Sequence, residues 1–78
     1  MKFVATFHSH YDAMMFFQFC KEREITAKLA PTPRRLSASC GTCVVFDTQP
    51  EIDYNDYDVG SVYFDENDTY VKIWHSGE

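Results

Sequence analysis

The chain has 78 residues, of which 45% are hydrophobic and 17% aromatic, and its formal net charge is −5. A chain of this length is expected to form one small domain spanning residues 1–78. Such a domain buries only about 60% of its unfolded surface, which leaves apolar surface that a second copy of the chain would cover as a homodimer. Charge is unevenly divided: residues 1–36 hold six Lys/Arg and three Asp/Glu, residues 37–78 one Lys and nine Asp/Glu, and an acidic half of this kind excludes non-specific nucleic-acid binding, which needs a basic face.

Residues 2–7 (Lys2-Phe3-Val4-Ala5-Thr6-Phe7) alternate weakly and read as a first strand. That apolar run is too short for a signal-peptide core or a membrane span. Ser9 with Asp12 three residues on has the shape of a capping box, so a helix is expected from about His10 to Arg23. Ala13, Phe16, Phe17 and Cys20 fall on one face by helical spacing and should pack on a sheet, which makes Cys20 a core residue. Residues 26–30 read as a short strand. Pro31 and Pro33 then hold the chain extended, and residues 34–39 suit a turn or a single helical turn.

Cys43-Val44-Val45-Phe46 is a candidate buried strand. Between Asp47 and Asp58 the chain is polar, with Pro50 suited to the first position of a very short helix. Val59–Asp65 and Thr69–His75 both alternate, and Asp65-Glu66-Asn67-Asp68 supplies turn chemistry between them, so a C-terminal β-hairpin is expected. Together these elements predict an α+β fold, a small two-layer sandwich with one main helix packed on a mixed or antiparallel sheet. Tyr54, Tyr57, Tyr63, Tyr70 and Trp74 read as sheet surface, or as an interface if they are exposed together.

The residues with chemistry lie between Pro31 and Cys43. Cys40 and Cys43, with Gly41 and Thr42 between them, form a Cys-x-x-Cys pair, a spacing that cytosolic proteins use for thiol–disulfide exchange or as half of a metal site. A strand rather than a helix follows, which argues against a thioredoxin-like mechanism. Gly41 allows backbone N–H groups to turn toward the Cys40 sulfur. Arg34 and Arg35 carry a permanent charge that would hold a thiolate or an anion beside it. The plainer reading is two small residues at a strand start and two surface cations. His8, His10 and His75 would complete a zinc site only if the first strand lay beside the cysteine loop, and no metal site is assigned. An odd cysteine count does not suit a secreted disulfide scaffold, so the expected location is cytoplasmic, with reduced thiols and no membrane partner.

Phe7-His8-Ser9, Asp12-Ala13, Pro31-Thr32-Pro33-Arg34, Leu36-Ser37 and Ser39-Cys40-Gly41, in this order and with these gaps, resemble the Se/S carrier protein-like family of small bacterial and archaeal domains. The resemblance covers roughly residues 2–47. It implies that the cysteine loop carries selenium or sulfur as a perselenide or persulfide between a donor and an acceptor enzyme. It makes Cys40 the carrier thiol, Cys43 its partner, and Arg34 the basic residue after the second proline. After Asp47 the chain departs from the family pattern, which continues with a second helix. On this reading the protein is a carrier and not an enzyme, with no cofactor beyond covalently held Se or S. The alternatives are a thiol–disulfide redox protein or sensor using the same pair, a thiolate metal-binding module, and a small interaction module in which the cysteines are incidental.

Overall fold

The two faces of a sheet whose central strands are apolar on both sides must both be covered, and the architecture follows from that. The computed structural model describes residues 1–36, 41–48, 53–67 and 69–76. Its elements are β1 (Lys2–Phe7), α1 (His10–Glu22), β2 (Ala27–Pro31), β3 (Thr42–Phe46), a short 3-10 helix (Tyr54–Tyr57), β4 (Val59–Glu66) and β5 (Thr69–His75). The strands form one antiparallel sheet in the order β2-β3-β1-β4-β5. The expected α+β arrangement is therefore observed: one helix on one face of an antiparallel sheet, with β4 and β5 as the C-terminal hairpin.

β1 is the central strand, and Phe3 through Phe7 are all buried. Burial on both sides explains why its alternation in sequence is weak. Phe3, Ala5 and Phe7 point to α1, where they meet Val44 and Phe46 of β3 and Val62 of β4. Phe16 of α1 sits at the centre of this layer. Its ring centroid lies 5.6 Å from Phe7, 5.4 Å from Phe46, 6.2 Å from Tyr54 and 6.1 Å from Tyr57.

α1 begins as the sequence indicates. Ser9 is the N-cap, its hydroxyl oxygen accepting from the Asp12 N–H at 3.1 Å while its O–H donates to the Asp12 carboxylate at 2.8 Å. At the other end the Ile25 N–H bonds to the Cys20 carbonyl at 2.8 Å and the Glu24 N–H to Lys21 at 3.1 Å. This is a Schellman closure in which Glu24, at φ 59°, occupies the left-handed position more usual for glycine. The buried face is Ala13, Phe16, Phe19 and Cys20. Phe19, not Phe17, completes it, because the 3-10 helix packs on that flank and brings the Tyr57 ring to 5.0 Å from Phe19. Phe17 is half-buried and lies under the Lys21 ammonium group at 5.4 Å.

The tyrosines expected on the surface are largely internal. Tyr54 is buried beside Phe16 and Trp74, and Tyr63 is buried on the opposite face of the sheet. The short helix starts after Asp53, whose carboxylate accepts from the Asn55 N–H at 2.9 Å. Pro50, the expected helix start, lies outside the described residues.

β4 carries the extra residue that the β1 register requires. Thr6 pairs with Ser61 and Phe7 with Val59, which leaves Gly60 as the bulge. A Cβ there would stand 3.3 Å from the Thr6 carbonyl oxygen, so this close approach favours glycine. Asn67, at φ 53°, begins the turn between β4 and β5.

Phe16→Ala is expected to destabilise the protein by about 3–5 kcal/mol, since it removes a fully buried ring that five other rings pack against. Urea unfolding followed by far-UV circular dichroism measures this.

Candidate functional site

The connection from β2 to β3 carries the chemistry read from the sequence. It starts where Pro31 pairs with Thr42, and the Thr32 N–H bonds to the Gly41 carbonyl at 2.9 Å. β2 is an edge strand, which is where a proline without an N–H is tolerated. Beyond Thr32 the chain turns, with the Leu36 N–H donating to the Pro33 carbonyl at 3.0 Å. The turn expected over residues 34–39 is thus present as far as Leu36. Ser37, Ala38, Ser39 and Cys40 lie outside the described residues.

Leu36 is the anchor of this connection. It is buried against Val4, Cys43 and Tyr63, on the sheet face opposite α1, with Ala30, Val45 and Tyr70 around it. Leu36 thus covers, from within the chain, part of the sheet face that α1 does not reach.

Cys43 lies beneath this cover. It is 1% exposed, and its Sγ–H donates to the Pro31 carbonyl oxygen at 3.6 Å. Its strand neighbour is Thr6, which in turn pairs with Ser61. The Thr6 hydroxyl donates to the Ser61 carbonyl at 3.4 Å, and Ser61 Oγ lies 3.4 Å from His75 Nδ1. Across this end of the sheet the row thus runs thiol, hydroxyl, hydroxyl, imidazole.

Gly41 is exposed, and its missing side chain faces open space. Arg34 and Arg35 are also exposed, and with Pro33 and Tyr70 they line a groove of about 320 Å³. Tyr70 belongs to β5, and β1 and β4 separate β5 from β3. The arginine pair therefore reaches toward the far edge of the sheet, and the groove gains an aromatic wall from a residue 35 positions later in the chain than Arg35.

The histidines divide. β1 lies beside β3, so His8 and His10, which follow β1, stand at the sheet end where Gly41 and Thr42 begin β3. His10 Nδ1 is 3.1 Å from the Thr42 hydroxyl. This tie between the helix start and the Cys-x-x-Cys segment was not anticipated, although Thr42 as the polar residue inside the motif was its available signal. His75 is on β5. Among the described residues no group of three or more His, Cys, Asp or Glu gathers as a metal site.

Cys20 is the third thiol. It is fully buried in the helix-side core, and its pKa is pushed up to about 11 by burial first and by the Asp47 carboxylate second. It is a packing residue, as its helical spacing indicates.

Residues 2–56 match the model of the family described as Putative Se/S carrier protein-like. The chain belongs to this family. The match extends past Asp47 into the 3-10 helix, beyond the stretch whose motifs carry the resemblance in the sequence. No curated protein matches the chain, and neither does any solved structure. The family name designates a class of carrier and by itself assigns no residue a role. No helix of this family member, among the described residues, is long and apolar enough to cross a membrane.

The Cys20 thiol gives a pH signature with a definite sign. Its folded pKa lies above the ordinary value of 9.0, so the neutral thiol stabilises the fold fully below pH 9, and that contribution is lost as pH rises through 9 toward 11. By pH 11 the loss should reach about 2–3 kcal/mol, and Cys20→Ala should flatten that part of the profile. Urea midpoints collected from pH 8 to pH 11 provide the comparison.

Proposed function

We propose that this protein carries sulfur or selenium as a persulfide or perselenide on Cys40, with Cys43 as the partner thiol, and passes it from a donor enzyme to an acceptor enzyme. The single observation that carries this reading is the family match over residues 2–56, which includes the whole proline-arginine-cysteine block. On this reading the protein is a carrier and not a catalyst, and a cytoplasmic one.

The transfer is a thiol exchange. The Cys40 thiolate attacks the outer sulfur of a donor persulfide. A Cys40–sulfur bond forms as the donor's own S–S bond breaks, and the donor leaves as a thiolate. Delivery to an acceptor thiol repeats the step in the other direction, so no oxidant or reductant is consumed. Selenium follows the same course, with the selenium atom in the place of the outer sulfur.

The placement of Cys43 gives it a distinct part. Attack by Cys43 on the inner sulfur of a loaded Cys40 would form a Cys40–Cys43 disulfide and expel the cargo as hydrosulfide or hydroselenide. Cys43 is 1% exposed, lies under Leu36, and donates its proton to the Pro31 carbonyl. On this reading Cys43 does not discharge the cargo while Leu36 covers it. Arg34 and Arg35 supply the positive charge that an anionic adduct or an anionic donor meets, and the Gly41 backbone offers a donor without a side chain beside it.

Treating the reduced protein with glutathione persulfide and weighing it intact tests the reading. One added sulfur atom is expected in the native protein and in Cys43→Ser, and none in Cys40→Ser. Full loading of Cys40→Ser removes Cys40 from the role. Loading that also requires Cys43 shows a bridged cargo. A loss of two hydrogens with no sulfur gained replaces carriage with thiol–disulfide redox chemistry.

A further inference from the structure

α1 buries one face and presents on its outer side three large apolar residues at helical spacing. Tyr11 is 70% exposed, Met14 46% and Met15 43%. Positions i, i+3 and i+4 form one stripe on a helix surface, so these side chains are neighbours. Isolated exposed apolar residues are ordinary, but a contiguous group containing two flexible methionines is characteristic of a contact surface.

The stripe borders a groove of about 180 Å³ formed where the first turn of α1 meets the 3-10 helix, lined by Tyr11, Asp12, Met15, Asp56, Tyr57 and Asp58. The groove thus combines the apolar surface of Tyr11, Met15 and Tyr57 with three aspartates. Asp12 is engaged by the Ser9 hydroxyl, whereas Asp56 and Asp58 are exposed. Its sign matches the chain as a whole, whose net charge is −5.

Its position gives the groove a use. α1 starts three residues after β1 ends, and β4 starts two residues after the 3-10 helix, with Phe7 paired to Val59. Both walls of the groove therefore stand at the end of the sheet where β3 begins. His10, one residue before Tyr11, reaches Thr42 at 3.1 Å. The groove and the Cys-x-x-Cys segment share one end of the molecule, so a protein seated in the groove is close to Thr42.

We propose that this groove and the Tyr11–Met14–Met15 stripe are the docking surface for a partner protein that presents lysine or arginine side chains around an aliphatic anchor; the identification of that partner as the donor or acceptor rests on the carrier reading above. The aliphatic group enters between Met15 and Tyr57, and the cations meet Asp56 and Asp58. Charge complementarity of this kind raises the rate of encounter and is weakened by salt. A second copy of this chain is a poor occupant, because each copy brings the same negative charge.

An alternating lysine–leucine decapeptide serves as the probe, with a glutamate–leucine decapeptide as its control. Amide shifts of the full-length protein are followed by NMR as the peptide is added. Saturating shifts at Tyr11, Met15 and Tyr57 are expected with the basic peptide alone, and binding should weaken when salt is raised. Asp56→Asn/Asp58→Asn and, separately, Met15→Glu should each raise the Kd tenfold or more. Asn is chosen because Asp58, at φ 52°, sits in the left-handed region that Asn tolerates. Removing two exposed acids elsewhere, with Glu22→Gln/Glu66→Gln, should leave the affinity unchanged. Shifts scattered over the acidic surface, or an equal loss of affinity in that control variant, overturn the proposal. Tighter binding of the glutamate–leucine peptide overturns it as well. Sulfur loading of Cys40 by mass is a separate readout, so the docking surface and the carrier reading fail independently.

Discussion

A five-stranded sheet with a single helix has one face covered by that helix and one face that something else must cover, and this constraint organises the protein. On the helix side the solution is aromatic. Phe3, Phe7, Phe16, Phe19 and Phe46 interlock with Tyr54 and Tyr57, and the 3-10 helix closes the flank that α1 leaves open. On the other side Leu36 reaches over Val4, Cys43 and Tyr63. Leu36, in the connection between β2 and β3, is thus part of the core on one side of the sheet, a few residues before the Cys-x-x-Cys motif.

The thiols differ in their situations. Cys20 and Cys43 are both fully or nearly fully buried, but on opposite faces of the sheet. Cys20 sits on the inner face of α1, packed into the helix-side core, and burial together with the Asp47 carboxylate pushes its pKa up to about 11. Cys43 packs with Val4, Leu36 and Tyr63 on the other face. Cys20 is thus held by a helix of the main core, whereas Cys43 is covered in part by Leu36, a residue of the connection between β2 and β3.

The acidic character of the second half of the sequence also becomes specific in three dimensions. Asp56 and Asp58 stand beside exposed apolar residues of α1, at the sheet end where β3 begins, whereas Asp65 is placed against Lys2 at 3.6 Å. An ion pair whose lysine is well exposed contributes on the order of 0–1 kcal/mol, so this pair adds little to stability. The same residue type therefore lies beside exposed apolar side chains in one place and in a strand-borne ion pair in another.

Local rules determined much of this protein. The period of β1, the Ser9–Asp12 cap, the helical spacing that buries Cys20, the proline-stiffened edge and the turn chemistry between β4 and β5 all depend on neighbours within a few residues, and each is legible in the sequence. So is the Pro31-to-Cys43 block that carries the family resemblance. Tertiary structure decided what depends on contacts distant in the chain: that Phe19 and not Phe17 faces the core, that Tyr54 and Tyr63 are internal, that Arg34 and Arg35 share a groove with Tyr70, that His10 meets Thr42, and that Leu36 seals Cys43. Except for the polar Thr42 inside the Cys-x-x-Cys motif, these have no local signal, because each is set by strand order and by which segment covers a face. A sheet with β1 at its centre brings residues 37 to 63 positions apart into contact, and sequence periodicity carries no information about which strand becomes the neighbour.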